Sequence, residues 1–184
     1  SDEWVAEAER RGLPNIKSMI EAVDTLTTEK SVNLFEKFGI FTKTELESRA
    51  EVLYETYAKT INIEALTMID MASKQYVPAI VKYTKSLADT VVAVKDAGAD
   101  AQVQTEILKA VNGKLGEVKS ALAKLEEAEA KAAAMDNVKD QAFFYKDVVK
   151  TAMDELRAPV DEVEMMVDKK AWPVPSYADL MFEV

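Results

Sequence analysis

Apolar residues recur every three or four positions along most of this chain, the spacing of helices that each bury one stripe. The longest such stretch lies between Thr42 and Gly98, with no internal glycine and one proline, Pro78. Its stripe reads Leu46, Ala50, Leu53, Tyr57, Ile61, Ala65, Met68, Ala72, Tyr76, Ala79, Tyr83, Leu87, Val91 and Val94. At about 1.5 Å per residue, one helix over this stretch reaches on the order of 80 Å, so other elements must lie against it. Thr42 and Glu45 form a T-x-x-E capping box that fixes its start, and Pro78 predicts a local bend. From Ile61 to Val81 the helix is apolar nearly all round. Ile63, Leu66, Ile69, Met71, Val77, Ile80 and Val81 fall off the stripe, and only Glu64, Asp70 and Lys74 are charged. Such a helix needs cover on several sides, from the rest of a bundle, another domain or another subunit.

A second helix follows Gly98, with Asp100 placed to cap it and Leu108, Val111, Leu115, Val118, Leu122 and Leu125 in alternate steps of three and four. That is a coiled-coil seam. Gly113 and Gly116 weaken it by about 1 kcal/mol each relative to Ala, which implies a close helix approach or a soft region. A third helix after Met135-Asp136-Asn137 repeats the pattern at Val138, Ala142, Tyr145, Val149, Ala152, Leu156, Val160, Val163 and Val167, with a kink expected at Pro159. Short connections predict antiparallel packing of the three. Upstream, Ser1 to Arg11 reads as a short helix stopped by Gly12. Asn15 can cap the next, Ile16 to Val23, and Glu29 to Phe38 ends at Gly39 beside an apolar knot of Phe35, Phe38 and Phe41. Downstream, Pro173 and Pro175 favour an extended tail, whose Trp172, Tyr177, Leu180, Met181 and Phe182 predict docking in a groove. The fold class is therefore all-α: an antiparallel three-helix coiled-coil bundle built on one very long helix, with short helices before it and an extended Pro/aromatic tail after. The expected segments are 1–41, 42–171 and 172–184.

Composition narrows the chemistry. The chain has 184 residues, is 48% hydrophobic and 30% charged, and carries a formal charge of -10. That size and balance suit a soluble fold with a real core. The acidic excess disfavours nucleic acid and anionic membranes as partners. No apolar run is long enough to span a bilayer, and the start has no apolar core of a signal peptide. Absence of cysteine fits a cytoplasmic location, and Ser1 in place of Met reads as part of a longer protein. With no histidine and no cysteine, the commonest general base, thiol nucleophile and metal ligands are missing. No phosphate-binding glycine loop occurs. Carboxylates alone remain: Asp161, Glu164 and Asp168 share a helix face, but such groups are more often solvent-facing, and no metal site is assigned. Tyr54, Tyr57, Tyr76, Tyr83 and Tyr145 sit at core spacing and read as packing with hydroxyls at the rim.

The segments KTINIEALTMIDMA (59–72), QYVPAIVKYTKSLADTV, QAFFYKDVV, LRAPVDEVEMMVD and WPVPSYADLMFEV together resemble the C-terminal region of type III glutamine synthetases, over nearly the whole chain. SDEWVAEAERRGLPN is similar to the end of that family's catalytic domain, and LPNIKSMIEAV to helical turns shared by glutamine synthetases generally. Val174 and Ala178 depart from the family's pattern, where an aromatic residue and glycine are expected. The resemblance implies a parent ligase that joins glutamate and ammonia using ATP and Mg or Mn, its catalytic machinery upstream of Ser1. It implies no catalytic, cofactor or metal residue in this chain. It also implies stacked rings of subunits, so the expected partners are the upstream catalytic domain and neighbouring subunits. Candidate interface residues are Ile61, Ile63, Leu66, Ile69 and Val77 from the helix centre, with Trp172, Tyr177 and Phe182 from the tail. The expected role is structural or oligomerising, in a chain that is not itself an enzyme. The alternative is a free-standing helical scaffold or adaptor that binds a helix or peptide.

Overall fold

The computed structural model describes residues 2–175 and 177–182, with the side chains of 177 and 178 left aside. Among the described residues the chain is all-helical, 81% helix without strands. A helical run of 54 residues spans Lys43–Asp96, as the glycine-free stretch predicts. The chain divides into two compact units, Ser1–Thr60 with Met135–Phe144, and Ile61–Ala134 with Tyr145–Val184.

The first unit holds α1 (Asp2–Arg10), α2 (Met19–Asp24), α3 (Glu29–Lys37), the opening of α4 (Lys43–Met71) and α7 (Val138–Phe144). Asn15 does not cap α2. Ser18 does: its hydroxyl accepts the Glu21 N–H at 3.3 Å, while the Glu21 carboxylate accepts the Lys17 N–H at 3.2 Å. This S-x-x-E pairing satisfies two free donors where Asn15 would satisfy one. α3 ends at Gly39, whose φ of +64° carries the chain into a conformation other residues avoid. The aromatic knot forms only in part. Phe35 and Phe41 lie 5.6 Å apart and Arg49 covers Phe41 at 4.3 Å, but Phe38 is exposed at the α3 terminus. The Thr42 box closes as expected: Thr42 N–H donates to Glu45 at 2.8 Å, and Glu45 N–H to the Thr42 hydroxyl at 3.3 Å.

The early stripe of α4 shifts from the expected line. Leu46, Ala50, Tyr54 and Ala58 are buried, whereas Leu53 is 37% exposed. Consecutive steps of four bring Tyr54 inward, and its hydroxyl finds a partner there, which removes the objection to burying it.

The second unit holds the remainder of α4, a π-turn (Ala72–Tyr76), α5 (Val77–Asp96), α6 (Gln102–Ala133), a second π-turn (Tyr145–Val149), α8 (Lys150–Glu164) and α9 (Tyr177–Phe182). Pro78 does not interrupt the run. It sits in the first turn of α5, directly after the wider π-turn, where a missing N–H is tolerated. α6 packs along both α5 and α8. Its Val111, Val118, Leu122 and Leu125 are buried, as are Tyr145, Val149, Ala152, Leu156, Val160 and Val163 facing them in the sequence pattern. Asp100 accepts the Gln102 N–H at 3.0 Å, with Ala101 as the cap residue itself.

Two further expectations change. A Cβ added at Gly113 or Gly116 meets no heavy atom within 4 Å, so close helix approach is not why they are glycine. The tail is irregular only through Pro175, then becomes helical at Tyr177–Phe182. Proline forbids helix only around itself, and YADLMF contains none. The expected extended course is corrected to that extent; 176, 183 and 184 lie outside the described residues.

Candidate functional site

A polar node organises the first unit. α2 ends at Asp24, α4 carries Tyr54 on its buried stripe, and α7 carries Lys139 and Phe143 one turn apart. The Tyr54 hydroxyl donates to Asp24 Oδ1 at 2.5 Å, and Lys139 Nζ lies 2.5 Å from the same oxygen. Tyr54 and Phe143 rings are 6.4 Å apart, with Lys139 Nζ 5.9 Å from the Phe143 centroid. Burial alone would raise the Asp24 carboxyl. The Lys139 and Tyr54 hydrogen bonds outweigh it and hold Asp24 below its ordinary 3.8. Burial, then the Asp24 carboxylate, pushes the Tyr54 hydroxyl well above its ordinary 10.0. Every strong group here is matched, which is the signature of a fastening rather than a reactive centre.

In the second unit, Asn62 Nδ2 donates to the Tyr145 hydroxyl at 2.7 Å and to Glu129 at 3.1 Å. Tyr54 and Tyr145 are thus core residues, 4% and 1% exposed, whose hydroxyls bond part-buried partners, Asp24 and Asn62.

The second unit also contains a cavity of about 420 Å³. Met68, Met71, Ala72 and Tyr76 supply one wall, and Leu156, Arg157, Val160, Asp161 and Glu164 of α8 supply another. The tail adds Val174, Pro175 and Leu180 to its lining. Just before, Trp172 stacks on Tyr76 with ring centroids 5.2 Å apart. The Trp172 Nε1–H is buried and has no hydrogen-bond partner among the described residues. Arg157 Nε lies 3.2 Å from Asp161 Oδ2. Burial, then the negative charges of Glu164 and Asp161, raises the Tyr76 hydroxyl above its ordinary value and keeps it protonated.

The candidate interface residues separate. Ile63 is 66% and Leu66 47% exposed, one turn apart on α4, and Phe182 is exposed on α9. Ile61 is buried at 8% and serves the core of its own unit. Ile69, Val77 and Trp172 are half-buried, and the Tyr177 side chain lies outside the described residues. The sequence pattern missed Asp24, Lys139 and Arg157. Asp24 and Lys139 find their partners on distant elements, so no local spacing marks them, whereas Arg157 and Asp161 stand four residues apart on α8, a spacing that many other charges of this chain share.

The resemblance implies ATP and Mg or Mn for a parent enzyme; the metal can be tested against the donors that the described residues offer. Histidine and cysteine are absent, and among the described residues no three acidic side chains converge as metal ligands. Asp161 pairs with Arg157 and lines the cavity with Glu164, while Asp168 accepts the Lys170 N–H at 2.7 Å. No helix among the described residues is long and apolar enough to cross a membrane.

Comparison with known proteins places this geometry in context. A family model described as glutamine synthetase C-terminal domain matches residues 1–95. A glutamine synthetase of Butyrivibrio fibrisolvens is 37% identical over 186 residues, covering 100% of this chain and 27% of that protein. One from Bacteroides fragilis is 31% identical over 188 residues, covering 99% of this chain and 26% of its own length. A type-3 glutamine synthetase of Dictyostelium discoideum is 33% identical over 189 residues, with 99% and 26% covered. The chain therefore spans about a quarter of the length of these relatives.

Proposed function

The chain belongs to the glutamine synthetase C-terminal domain family, and from that premise we propose that it is a structural, oligomerising helical region of a type III glutamine synthetase. The parent would join ammonia to glutamate using ATP and divalent metal, in the cytoplasm, with its active site in an upstream domain. This chain would supply contacts with that domain and with neighbouring subunits. In this reading, residues 1–41 continue from the catalytic domain, 42–171 form an antiparallel three-helix coiled coil on the long helix, and 172–184 act as a docking tail. Packing of α6 on α5 and α8 supports the coiled coil, and the Trp172–Tyr76 stack supports the tail.

The observation that carries the assembly role is the pair Ile63 and Leu66, 66% and 47% exposed on one face of α4. Two large aliphatic groups one turn apart in an acidic chain form an apolar patch that gains free energy when covered. A second copy is the occupant proposed. No observation favours the free-standing adaptor.

The test uses the parent protein carrying Ile63→Asp and Leu66→Asp together. The expected result is smaller assemblies by sedimentation velocity with unchanged far-ultraviolet circular dichroism. Assemblies of full size and full ligase activity would rule the role out, as would intact rings after deletion of the helical segment.

A further inference from the structure

α1 is a finished helix with one side left bare. Trp4 and Ala8 stand one turn apart with Val5 beside them, so the three share a face. Gly12, at φ +74°, turns the chain back at the helix end, where its N–H bonds to the Glu9 carbonyl and the Leu13 N–H to the Ala8 carbonyl, both at 2.9 Å. These two bonds make a Schellman cap, which sets the residue after the glycine against the last turns, so Leu13 joins Ala8 on that face. The polar side needs nothing further: Arg10 and Arg11 each donate to the Glu7 carboxylate, at 2.6 and 2.7 Å. On the apolar side Trp4, Val5 and Leu13 are 58%, 41% and 52% exposed, and α1 buries no residue at all.

A helix of nine residues is too short to hold in water by its backbone bonds, so its stability must come from packing of the apolar face. Three occupants are open to that face. A lipid surface is disfavoured by Asp2, Glu3, Glu7 and Glu9 against Arg10 alone. A second copy needs a larger area, since Trp4, Val5, Ala8 and Leu13 fall well short of the roughly 20–30 residues a side of a stable interface. A segment of the same polypeptide needs far less, because a short covalent connection holds it at about millimolar effective concentration. The chain spans about a quarter of the relatives it matches, in their C-terminal part, so most of such a polypeptide precedes α1.

We propose that α1 docks through Trp4, Val5, Ala8 and Leu13 into an apolar groove of the domain that precedes it in the same polypeptide, a contact within one subunit and separate from that of Ile63 and Leu66. It rests on the reading of this chain as one region of a longer ligase.

Hydrogen exchange followed by mass spectrometry reads the contact on the amides of Ala6 to Leu13, with α6 in the same sample as the marker of an intact fold. In the parent protein these amides should exchange about a hundredfold more slowly than in this chain alone. Trp4→Ala with Leu13→Ala in the parent should speed their exchange about tenfold or more and leave α6 unchanged, whereas Ala6→Ser on the polar side should alter neither. The parent carrying Ile63→Asp and Leu66→Asp should keep α1 protected even where its assemblies come apart. Equal exchange in parent and chain, with α6 protected in both, would overturn the proposal and leave the assembly role standing. Protection lost as assemblies come apart, or gained by the chain alone with rising concentration, would give the face to a second copy and overturn it too. The comparison of parent and chain needs no substitution, so it decides even where the double variant fails to fold. A natural polypeptide no longer than this chain would end the reading as a region of a longer ligase, and the proposal with it.

Discussion

Asp24 is where single atoms decide most. It receives a hydroxyl and an ammonium on one oxygen, each at 2.5 Å, and so ties α2, α4 and α7 within the first unit. Its side chain remains 38% exposed, and water therefore moderates the gain. Tyr54→Phe should cost about 1 kcal/mol, from the lost hydrogen bond with little change in packing, by urea unfolding. The pH dependence has two arms. Asp24 is held below 3.8 in the folded state, so its contribution is present above that value and is lost as pH falls through the folded pKa, where the unfolded chain binds more protons. Tyr54 is held above 10.0, so its contribution is present below 10.0 and declines as pH rises further, where the unfolded chain releases its proton first. Tyr54→Phe should weaken both arms together. Unfolding curves spanning both limits would show it, and a variant with unchanged arms would mean that the node contributes nothing.

Helices here follow their sequence signals where one residue type dominates a face, and drift where two compete. The seam of α6 and the stripe from Val138 to Val167 were legible because Val and Leu alternate with charges at each turn. On α4, Leu53 and Tyr57 compete with Tyr54 and Ala58, and the outcome rests on Asp24, which arrives from another helix and leaves no mark in local spacing. The same limit hid the Lys139 pairing. The π-turn at Ala72–Tyr76 was foreshadowed only by Pro78, since proline signals disturbance without specifying its form. The exposed Ile63 and Leu66 of the candidate site were legible from the missing charges around them, whereas the cavity was not, because it needs the tail folded back over α8. Two substitutions test what the elements owe to local chemistry. Thr42→Ala removes half of a reciprocal cap and should lower stability by about 1 kcal/mol. Gly116→Ala should raise it by about the same amount, because the added methyl meets only open space in a helical backbone. Differential denaturation of the two variants should move in opposite directions. A Gly116→Ala that destabilises would restore the close-approach reading.

The whole molecule carries a formal charge of -10, and that charge sets a test of how copies meet. Its ion pairs within helices are exposed, as at Lys59–Glu55, Lys131–Glu127 and Arg157–Asp161, and pairs of this kind add little to stability. Added salt should therefore leave the fold nearly unchanged. Association is different. Two copies that meet through Ile63 and Leu66 bring together two chains of like charge, and the repulsion acts over a Debye length of about 10 Å at 0.1 M salt. Raising salt screens that repulsion while leaving apolar contact intact or strengthened, so self-association should tighten severalfold between low salt and about 0.5 M. An interface held by complementary charges would loosen over the same range. Sedimentation equilibrium of the chain across the series, with circular dichroism to hold the fold constant, separates the two cases. Tightening that vanishes in the Ile63→Asp, Leu66→Asp variant assigns the contact to that face. Loosening with salt, or no association at any salt, would remove the apolar patch as the basis of assembly.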